Sequence, residues 1–249
     1  MNTTLGYTIQ DADNGPVVCY LHGAILGSTM WHAQRDMPGQ RQLMIDLPGI
    51  GRSRNLKWKS MRDTADQVAK IIAQRVPDGC CHVVGISLGG DLAVELLASH
   101  PERVRSAVVS GLILRPMTFR ESWPGWSSIK NLRSRTFLGQ LADYNRLPNP
   151  EREELLATAR YLRRSDYARV LRDIYGGFDV QRLRNLDTPV LAIAGENEPS
   201  IARDAVETLC TMMSNADPLI APAVGHSWNS EDPDYFARVL TDWIDRHND

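Results

Sequence analysis

One stretch of the chain, His82–Leu97, constrains the possible folds more than any other. Its residues up to Gly85 are apolar and largely β-branched, as in a buried strand, and from Leu88 onward a leucine recurs every four residues, as on a helix face. Between them, Ser87 is flanked by Gly85 and Gly89 in the order Gly-x-Ser-x-Gly, which at a strand-to-helix turn is the nucleophile-elbow pattern. Glycine is needed because a Cβ at either position would collide with neighbouring backbone.

The motif alone does not establish a nucleophile. Three fixed positions match by chance in about one chain in ten of this length. A glycine-rich turn whose serine caps the following helix would explain the same residues. The choice between these interpretations depends on what the other strand ends carry.

Strand and helix patterns alternate on both sides of the elbow. Short apolar runs predict strands, and apolar residues at helical spacing predict helices between them. Repeated strand–helix units imply a mostly parallel sheet with helices on both faces. The predicted strands cover residues 4–10, 16–21, 41–46, 82–86, 104–114, 189–194 and 219–221, and the predicted helices cover 29–36, 63–76, 88–100, 201–213 and 233–246, with a turn around Asn14.

Residues 115–184 interrupt this alternation. Helices are predicted to start near Asn149 and Ser165, and Trp123–Trp126, which contains Pro and Gly, predicts a turn. An insertion between two strand–helix units would lie over the carboxyl edge of the sheet, where such sheets place their sites. The expected division is a core of residues 1–114 and 185–249 and a helical cap, or lid, of residues 115–184.

The composition excludes several classes of function. The 249 residues are 43% hydrophobic and 23% charged, and the net charge of −2 gives no general attraction to nucleic acid or membranes. No apolar run approaches the roughly 20 residues of a membrane helix, and the first residues lack a secretory signal pattern. The four cysteines show no metal spacing and are expected to be reduced, so we expect a cytoplasmic protein without membrane insertion. The oligomeric state is not indicated.

Other strand ends carry residues that would activate a serine. A serine hydroxyl needs a base to remove its proton and an acid to orient that base, in the chain order Ser, acid, His for an elbow serine. His226, in a Gly-His loop after the last strand, is the predicted base, and Glu198, after the penultimate strand, is the predicted acid. Glu196 and, more distantly, Asp179 remain alternatives for the acid. Without catalysis, the same residues would be a solvated acidic loop and a histidine that caps the last helix.

Two backbone N–H groups are predicted to bind the oxyanion of an acyl transition state. One is that of Leu88, directly after the nucleophile, and the other is that of Ala24, in the loop after the first buried strand. His22 in the same loop is expected to brace it. Trp123 and Trp126 are candidates for lining an acyl pocket, although they would equally fit the core of the cap.

Together these motifs resemble the α/β-hydrolase superfamily over nearly the whole chain except the cap. The residues that carry the resemblance are His22-Gly23, Asp46-Leu-Pro-Gly-x-Gly-Arg-Ser53, Gly85-Ile-Ser-Leu-Gly-Gly90, His100-Pro-Glu-Arg-Val104, Gly195-Glu-Asn-Glu198 and Gly225-His226. The resemblance implies an eight-stranded, mostly parallel sheet whose second strand is antiparallel, and a helical cap after the sixth strand. Most members have an aspartate where this chain has Glu198. We expect neither a cofactor nor a metal ion.

A serine at the elbow, where some members carry aspartate, favours attack on an activated carbonyl. The predicted activity is hydrolysis of a small carboxylic ester, lactone or thioester through an acyl-enzyme intermediate. One alternative is a C–C bond hydrolase, or a lyase similar to that of the menaquinone pathway, acting on a carboxylate-bearing substrate. Another is a ligand receptor or signalling protein on the same scaffold. Each of these would bind a small molecule rather than nucleic acid.

The charge of the cap bears on the choice of substrate. Residues 115–184 contain 13 arginines and one lysine against eight acidic residues, a formal charge of about +6 in a chain of net charge −2. Arginines bind carboxylates in a bidentate manner, so a cationic cap would suit an anionic substrate. The alternative is a solvated helix surface in which Arg160, Arg163, Arg164 and Arg169 pair with Glu151, Glu153 and Glu154.

Overall fold

The computed structural model describes residues 4–11, 15–35 and 37–248. Its strands are β1 Gly6–Asp11, β2 Val17–Leu21, β3 Arg41–Asp46, β4 Cys81–Ile86, β5 Val104–Ser110, β6 Val190–Gly195 and β7 Ala216–Ala221. They form one sheet in the order β1-β3-β2-β4-β5-β6-β7. Every neighbouring pair is parallel except β1 with β3. The loops after the parallel strands therefore meet at one edge of the sheet.

This architecture confirms the predicted α/β-hydrolase fold, with one difference in the strand count. The described residues contain seven strands rather than eight, and the antiparallel strand is the first rather than the second. Only Thr4 and Leu5 precede β1 among the described residues, too few for the additional strand that the resemblance implies. The cap consequently follows the fifth strand of the described chain, not the sixth.

Helices connect the strands, and four of them, Met61–Arg75, Leu88–Ser99, Ser200–Met212 and Pro233–Arg246, lie close to the positions that the apolar spacing predicts. In chain order they are α1 Met61–Arg75, α2 Leu88–Ser99, α3 Phe119–Asn131, α4 Arg135–Tyr144, α5 Asn149–Thr158, α6 Arg164–Tyr175, α7 Ser200–Met212, α8 Trp228–Glu231 and α9 Pro233–Arg246. The start of α1 shows why the pattern works locally. The hydroxyl of Ser60 accepts the N–H of Asp63 at 3.1 Å, which caps the helix, and Val68 and Ile72 then point into the core.

Apolar layers cover both faces of the sheet. Successive residues of a strand point to opposite faces, so Cys19 and Leu21 of β2 pack with α1, α2 and α7, whereas Val18 and Tyr20 pack with α9. Both layers are buried, which is why the parallel strands read as continuous apolar runs. The packed sheet thereby lies beneath the loops at its carboxyl edge.

The four helices α3–α6 form the segment between β5 and β6. They share a third apolar cluster that includes Leu138, Leu155 and Leu171 from the cap and Ile25 and Ile50 from the loops after β2 and β3. The segment therefore packs on the loops at the carboxyl edge of the sheet.

Two local predictions are wrong. Trp123–Trp126 lies inside α3 rather than in a turn, because a capping box between Thr118 and Glu121 starts the helix at Phe119, four residues before Trp123. The helix predicted at 29–36 is reduced to a 3-10 helix over Ser28–Trp31.

The end of that predicted helix, at position 36, and the predicted turn at Asn14 lie outside the described residues. In the described part of the chain, no helix is both long and apolar enough to span a membrane.

Candidate active site

Ser87 occupies the sharp turn between β4 and α2. Its backbone angles, φ 58° and ψ −127°, belong to a region that residues with a side chain rarely adopt. The turn is held by a 2.8 Å hydrogen bond from the Ser87 N–H to the carbonyl of Ser110. A Cβ at Gly85 would lie 2.1 Å from the carbonyl oxygen of Gly89, and one at Gly89 would lie 2.0 Å from that of Leu21. Both collisions are the ones that the elbow motif predicts.

Glu198 and His226 form a directly bonded pair on neighbouring loops. The Nδ1 atom of His226 lies 2.6 Å from Oε1 of Glu198, and Oε2 of the same carboxylate accepts the N–H of Gly195 at 2.8 Å. The Glu198 side chain is 2% exposed and that of His226 is 35% exposed. Because Nδ1 faces the carboxylate, Nε2 is the ring nitrogen available to the solvent side.

The two alternative acids lie elsewhere. Glu196 is exposed, and its Oε2 accepts the N–H of Ala223 at 2.8 Å. Asp179 is also exposed and caps a 3-10 helix by accepting the N–H of Gln181. Only Glu198, of the three candidates, contacts the histidine.

Gly111 supports this pair and was not predicted from the sequence. It follows β5 with φ +66°, and a Cβ there would lie 2.7 Å from Cε1 of His226 and 3.3 Å from Oε1 of Glu198. The imidazole ring therefore packs directly on this backbone. The available signal was a glycine immediately after a predicted strand, at the same edge as the elbow.

The two residues predicted to supply oxyanion donors are Leu88, which follows Ser87 in the chain, and Ala24, which follows a glycine that approaches the elbow. Leu88 is the first residue of α2, where backbone N–H groups have no partner within the helix. Ala24 belongs to the loop that passes the elbow, since a Cβ on the preceding Gly23 would lie only 3.6 Å from the Cβ of Ser87. The N–H of Gly23 itself is directed at the sulfur of Met30, 3.3 Å away.

His22 braces the loop that carries Ala24. Its Nε2 accepts the N–H of Leu47 at 2.9 Å, so Nδ1 carries the proton and donates to the carbonyl of Gly23 at 2.7 Å. The ring is fully buried, and burial lowers the pKa of His22, which keeps it neutral. Both nitrogens are occupied by the backbone, which fits a structural role.

An apolar cavity of about 350 Å³ lies between the core and the cap, and both Ser87 and His226 line it. No hydrogen bond joins these two side chains in the described structure, and hydrogen bonds of this kind often tighten only when substrate binds. The lining contains no aspartate, glutamate, lysine or arginine. The cap contributes Leu141, Tyr144, Asn145, Leu147, Leu155 and Tyr167.

Trp123 and Trp126, the predicted pocket residues, are not among those that line this cavity. Trp123 is 56% exposed and packs on Phe119, with 5.3 Å between ring centroids. Trp126 packs edge-on against Tyr175 inside the cap. Continuation of α3 through both residues turns them away from the cavity, and Tyr144 and Tyr167 supply its aromatic surface instead.

The cap arginines do not line the cavity either, and their partners differ from the predicted ones. Arg163 and Arg169 both pair with Asp166, at 3.0 and 2.7 Å. Glu151 instead points into the core, where it contacts Ser230 and His32. Among the described residues, no group of three or more His, Cys, Asp or Glu side chains is placed to hold a metal ion.

Comparison with known proteins gives relatives along nearly the whole chain. A pimeloyl-acyl-carrier protein methyl ester esterase of Nitrosomonas europaea is 29% identical over 245 residues, which cover 88% of this chain and 92% of that protein. The protein of the same description from Yersinia enterocolitica is 25% identical over 246 residues, 92% of this chain and 93% of that one.

Solved structures with the same fold include an esterase from Thermogutta terrifontis and MenH from S. aureus. The first matches with a TM-score of 0.79 at 20% identity and covers 98% of this chain and 94% of that one. The second has a TM-score of 0.79 at 18% identity, with 98% and 99% covered. A sequence model of the family described as alpha/beta hydrolase fold matches residues 16–148, more than half of the chain. The protein therefore belongs to the alpha/beta hydrolase fold family.

Proposed function

We propose that the protein is a serine hydrolase that cleaves carboxylic esters through an acyl-enzyme intermediate. The observation that carries the proposal is the 2.6 Å contact between Glu198 and His226, beside the apolar cavity that Ser87 also lines. A buried carboxylate on Nδ1 orients the ring and stabilises the imidazolium that forms when the histidine takes a proton. The similar proteins named as esterases support the same class of reaction.

In the proposed mechanism, Ser87 Oγ attacks the carbonyl carbon of the ester while Nε2 of His226 accepts the hydroxyl proton. The carbonyl π electrons move onto oxygen, and the N–H groups of Ala24 and Leu88 bind this oxyanion. His226 then gives its proton to the leaving alcohol as the C–O bond breaks, which leaves the acyl group on Ser87. Water deprotonated by His226 releases the carboxylic acid, and Ser87 regains its proton.

The proposal assigns different tasks to two parts of the chain. Residues 1–114 and 185–249 form the catalytic core, which carries Ser87, Glu198 and His226. Residues 115–184 form the cap, which supplies one wall of the cavity. The division is supported by the third apolar cluster, which joins the cap helices to the loops after β2 and β3, and by the six cap residues in the cavity lining.

For the acyl group we propose a small, uncharged chain. A carboxylate inside the cavity would lose its hydration without gaining a cation, because no lysine or arginine lines the cavity. This observation disfavours the carboxylate-bearing substrates of a C–C bond hydrolase or lyase. The relatives from Nitrosomonas and Yersinia are named for a methyl ester of a carrier-bound acyl group, and an uncharged ester of that kind is a specific candidate substrate.

The test is reaction with a fluorophosphonate probe followed by assays with p-nitrophenyl esters of increasing acyl length. We expect the wild type to be labelled on the peptide that contains Ser87, by mass spectrometry, and to hydrolyse the esters. The Ser87→Ala variant should show neither reaction. Labelling that persists in Ser87→Ala would refute the nucleophile. A folded wild type with no turnover of any ester would refute the hydrolase and favour a receptor on this scaffold.

A further inference from the structure

The short helix α8 begins two residues after His226, and the cap contacts it at two points. Ser230 Oγ donates to Oε1 of Glu151 in α5 at 2.6 Å. Arg146, which follows α4, donates from Nη1 to Oε2 of Glu231 at 3.0 Å. Both contacts join residues about 80 positions apart in the chain. The cap therefore holds the element that directly follows the histidine.

Glu231 also contacts the histidine loop itself. Its second oxygen, Oε1, accepts the N–H of Gly225 at 3.1 Å, and Gly225 immediately precedes His226. The Glu231 side chain is only 7% exposed, so both oxygens are engaged in a largely dry environment. One carboxylate thus joins an arginine of the cap to the backbone beside the imidazole.

Arg146 lies between two residues of the cavity wall. Its neighbours Asn145 and Leu147 both line the cavity, and Arg146 itself has a positive φ of 49°. Displacement of this wall by an acyl group would therefore move the guanidinium that binds Glu231. The Arg146 side chain is 62% exposed, and ion pairs of exposed side chains contribute little to stability. A large effect of its removal on turnover would thus be difficult to explain by unfolding.

We propose that Arg146 and Glu231 are positioning residues for His226, through which the seating of the cap on the core sets the position of the imidazole ring. Glu231 holds the loop through the N–H of Gly225, and Arg146 holds Glu231. This inference rests on the proposed ester hydrolase function, because it assigns the two residues to the same histidine. Neither residue contacts the substrate or the reacting atoms.

The experiment is a double-mutant cycle with Arg146→Ala, Glu231→Ala and the double variant, on a p-nitrophenyl ester. We expect Glu231→Ala to lower kcat by about tenfold or more with KM within about twofold, since small misplacement of a catalytic group slows chemistry more than binding. Arg146→Ala should lower kcat less. The double variant should match Glu231→Ala, because Arg146 acts through Glu231. Glu231→Gln, which keeps an oxygen for Gly225, should retain most of kcat.

The matched control is Arg152→Ala, an arginine whose partner, Asp143, lies in the cap itself. It should leave kcat unchanged. Equal losses in Arg152→Ala and Arg146→Ala, additive effects in the cycle, or a kcat of Glu231→Ala within twofold of wild type would each overturn the proposal.

A second readout separates this inference from the proposed function. The nitrogen NMR signals of His226 report its hydrogen bonds and titration whether or not an ester is hydrolysed. We expect the titration midpoint of His226 to shift in Glu231→Ala and Arg146→Ala and to stay unchanged in Arg152→Ala. If no ester is turned over, the hydrolase proposal fails while these signals still test the coupling. Identical His226 titrations in all variants would overturn it.

Discussion

Glu198 is the residue whose exact length matters most in the site, since both of its oxygens are engaged. Oε1 contacts His226 and Oε2 accepts the N–H of Gly195, the last residue of β6. The second hydrogen bond fixes the carboxylate plane, so that the first one is aimed at Nδ1. The backbone of its own loop therefore holds Glu198 in place, although its side chain is longer than the aspartate that most members of the superfamily have there.

Replacement of Glu198 by Gln keeps the shape and removes the charge that, in the proposed mechanism, stabilises the imidazolium of His226. We expect Glu198→Gln to lower kcat by about 10³–10⁴-fold with little change in KM, measured on a p-nitrophenyl ester. Glu196→Gln is the matched control, since that carboxylate binds the backbone of Ala223 on the same loop pair. Activity of Glu198→Gln close to that of the wild type would exclude Glu198 as the acid.

Gly111 is expected to be intolerant of a methyl group for a reason that concerns the imidazole. Gly111→Ala places a Cβ 2.7 Å from Cε1 of His226, so the ring must move and kcat should fall by about 100-fold. Gly39→Ala is the control, because Gly39 has a similar φ of +77° but no atom within 4 Å of the added Cβ. Gly39→Ala should lower the melting temperature slightly and leave kcat unchanged. Equal kcat for both variants would contradict the steric argument.

At the residue scale, the sequence predicted the groups that motifs and chain order define. Ser87, Glu198 and His226 follow strands of one parallel sheet, so their convergence follows from topology alone. Gly111 and Glu231 were not predicted, because Gly111 packs against His226 and Glu231 pairs with Arg146, and both of these partners lie far away in the chain. No local pattern distinguishes them from an ordinary loop glycine or a helix-end carboxylate.

At the scale of elements, α5 shows a feature that the spacing of its apolar residues does not predict. The helix begins at Asn149, as the sequence predicted, and Leu155 faces the cap core. Its first turn nevertheless buries a carboxylate completely: Glu151 is 0% exposed, and its Oε2 has no hydrogen-bond partner among the described residues. The spacing of apolar residues cannot predict the burial of Glu151. It assigns the polar face of a helix to solvent, whatever another part of the chain packs against that face.

Burial raises the pKa of Glu151 to about 7, with a further increase from Glu154, although the hydrogen bond from Ser230 opposes it. His32 Nδ1 also lies 3.0 Å from the carboxylate. A carboxyl group whose pKa is higher in the folded state binds more protons there than in the unfolded state. The stability contributed by this group is therefore greatest below its ordinary pKa of 4.5 and falls until about pH 7.

We expect Glu151→Gln to lose less stability than the wild type between pH 5 and pH 8, by up to about 3 kcal/mol in the free energy of unfolding. Urea unfolding at the two pH values measures this difference. Glu153→Gln, in the same turn but exposed, should follow the wild type. If the free energy of unfolding of the wild type falls between pH 5 and pH 8 by no more than that of Glu151→Gln, Glu151 does not take up a proton on folding.

At the scale of the whole molecule, the cap has a cationic exterior and an apolar interior. Its arginines pair with acids such as Asp166, Asp143 and Glu231, whereas leucines and tyrosines face the cavity. The sequence composition revealed the positive charge of the cap, but not whether its arginines face the cavity or the exterior. Orientation of each cap helix depends on packing against the core loops, and residues 115–184 lack the alternation that made the core predictable.

This arrangement predicts discrimination against charged acyl groups. We expect kcat/KM for the mono-p-nitrophenyl ester of succinate to be at least about 100-fold below that for p-nitrophenyl butyrate, since the carboxylate must be desolvated without a partner. Methylation of the free carboxylate should restore most of the rate, which controls for size. Equal rates for succinate and butyrate esters would mean that an arginine reaches the cavity. They would then favour a C–C bond hydrolase or lyase that acts on a carboxylate-bearing substrate.

The backbone of Ser87 has a consequence for how such a protein changes under selection. Its φ of 58° and ψ of −127° suit glycine, so Ser87→Gly should relieve backbone strain of about 1–3 kcal/mol while removing the hydroxyl. A library screened only for heat resistance would therefore be expected to enrich this substitution and to drift toward inert scaffolds. The position that the proposed reaction requires is thus also one where selection for heat resistance alone would favour a different residue.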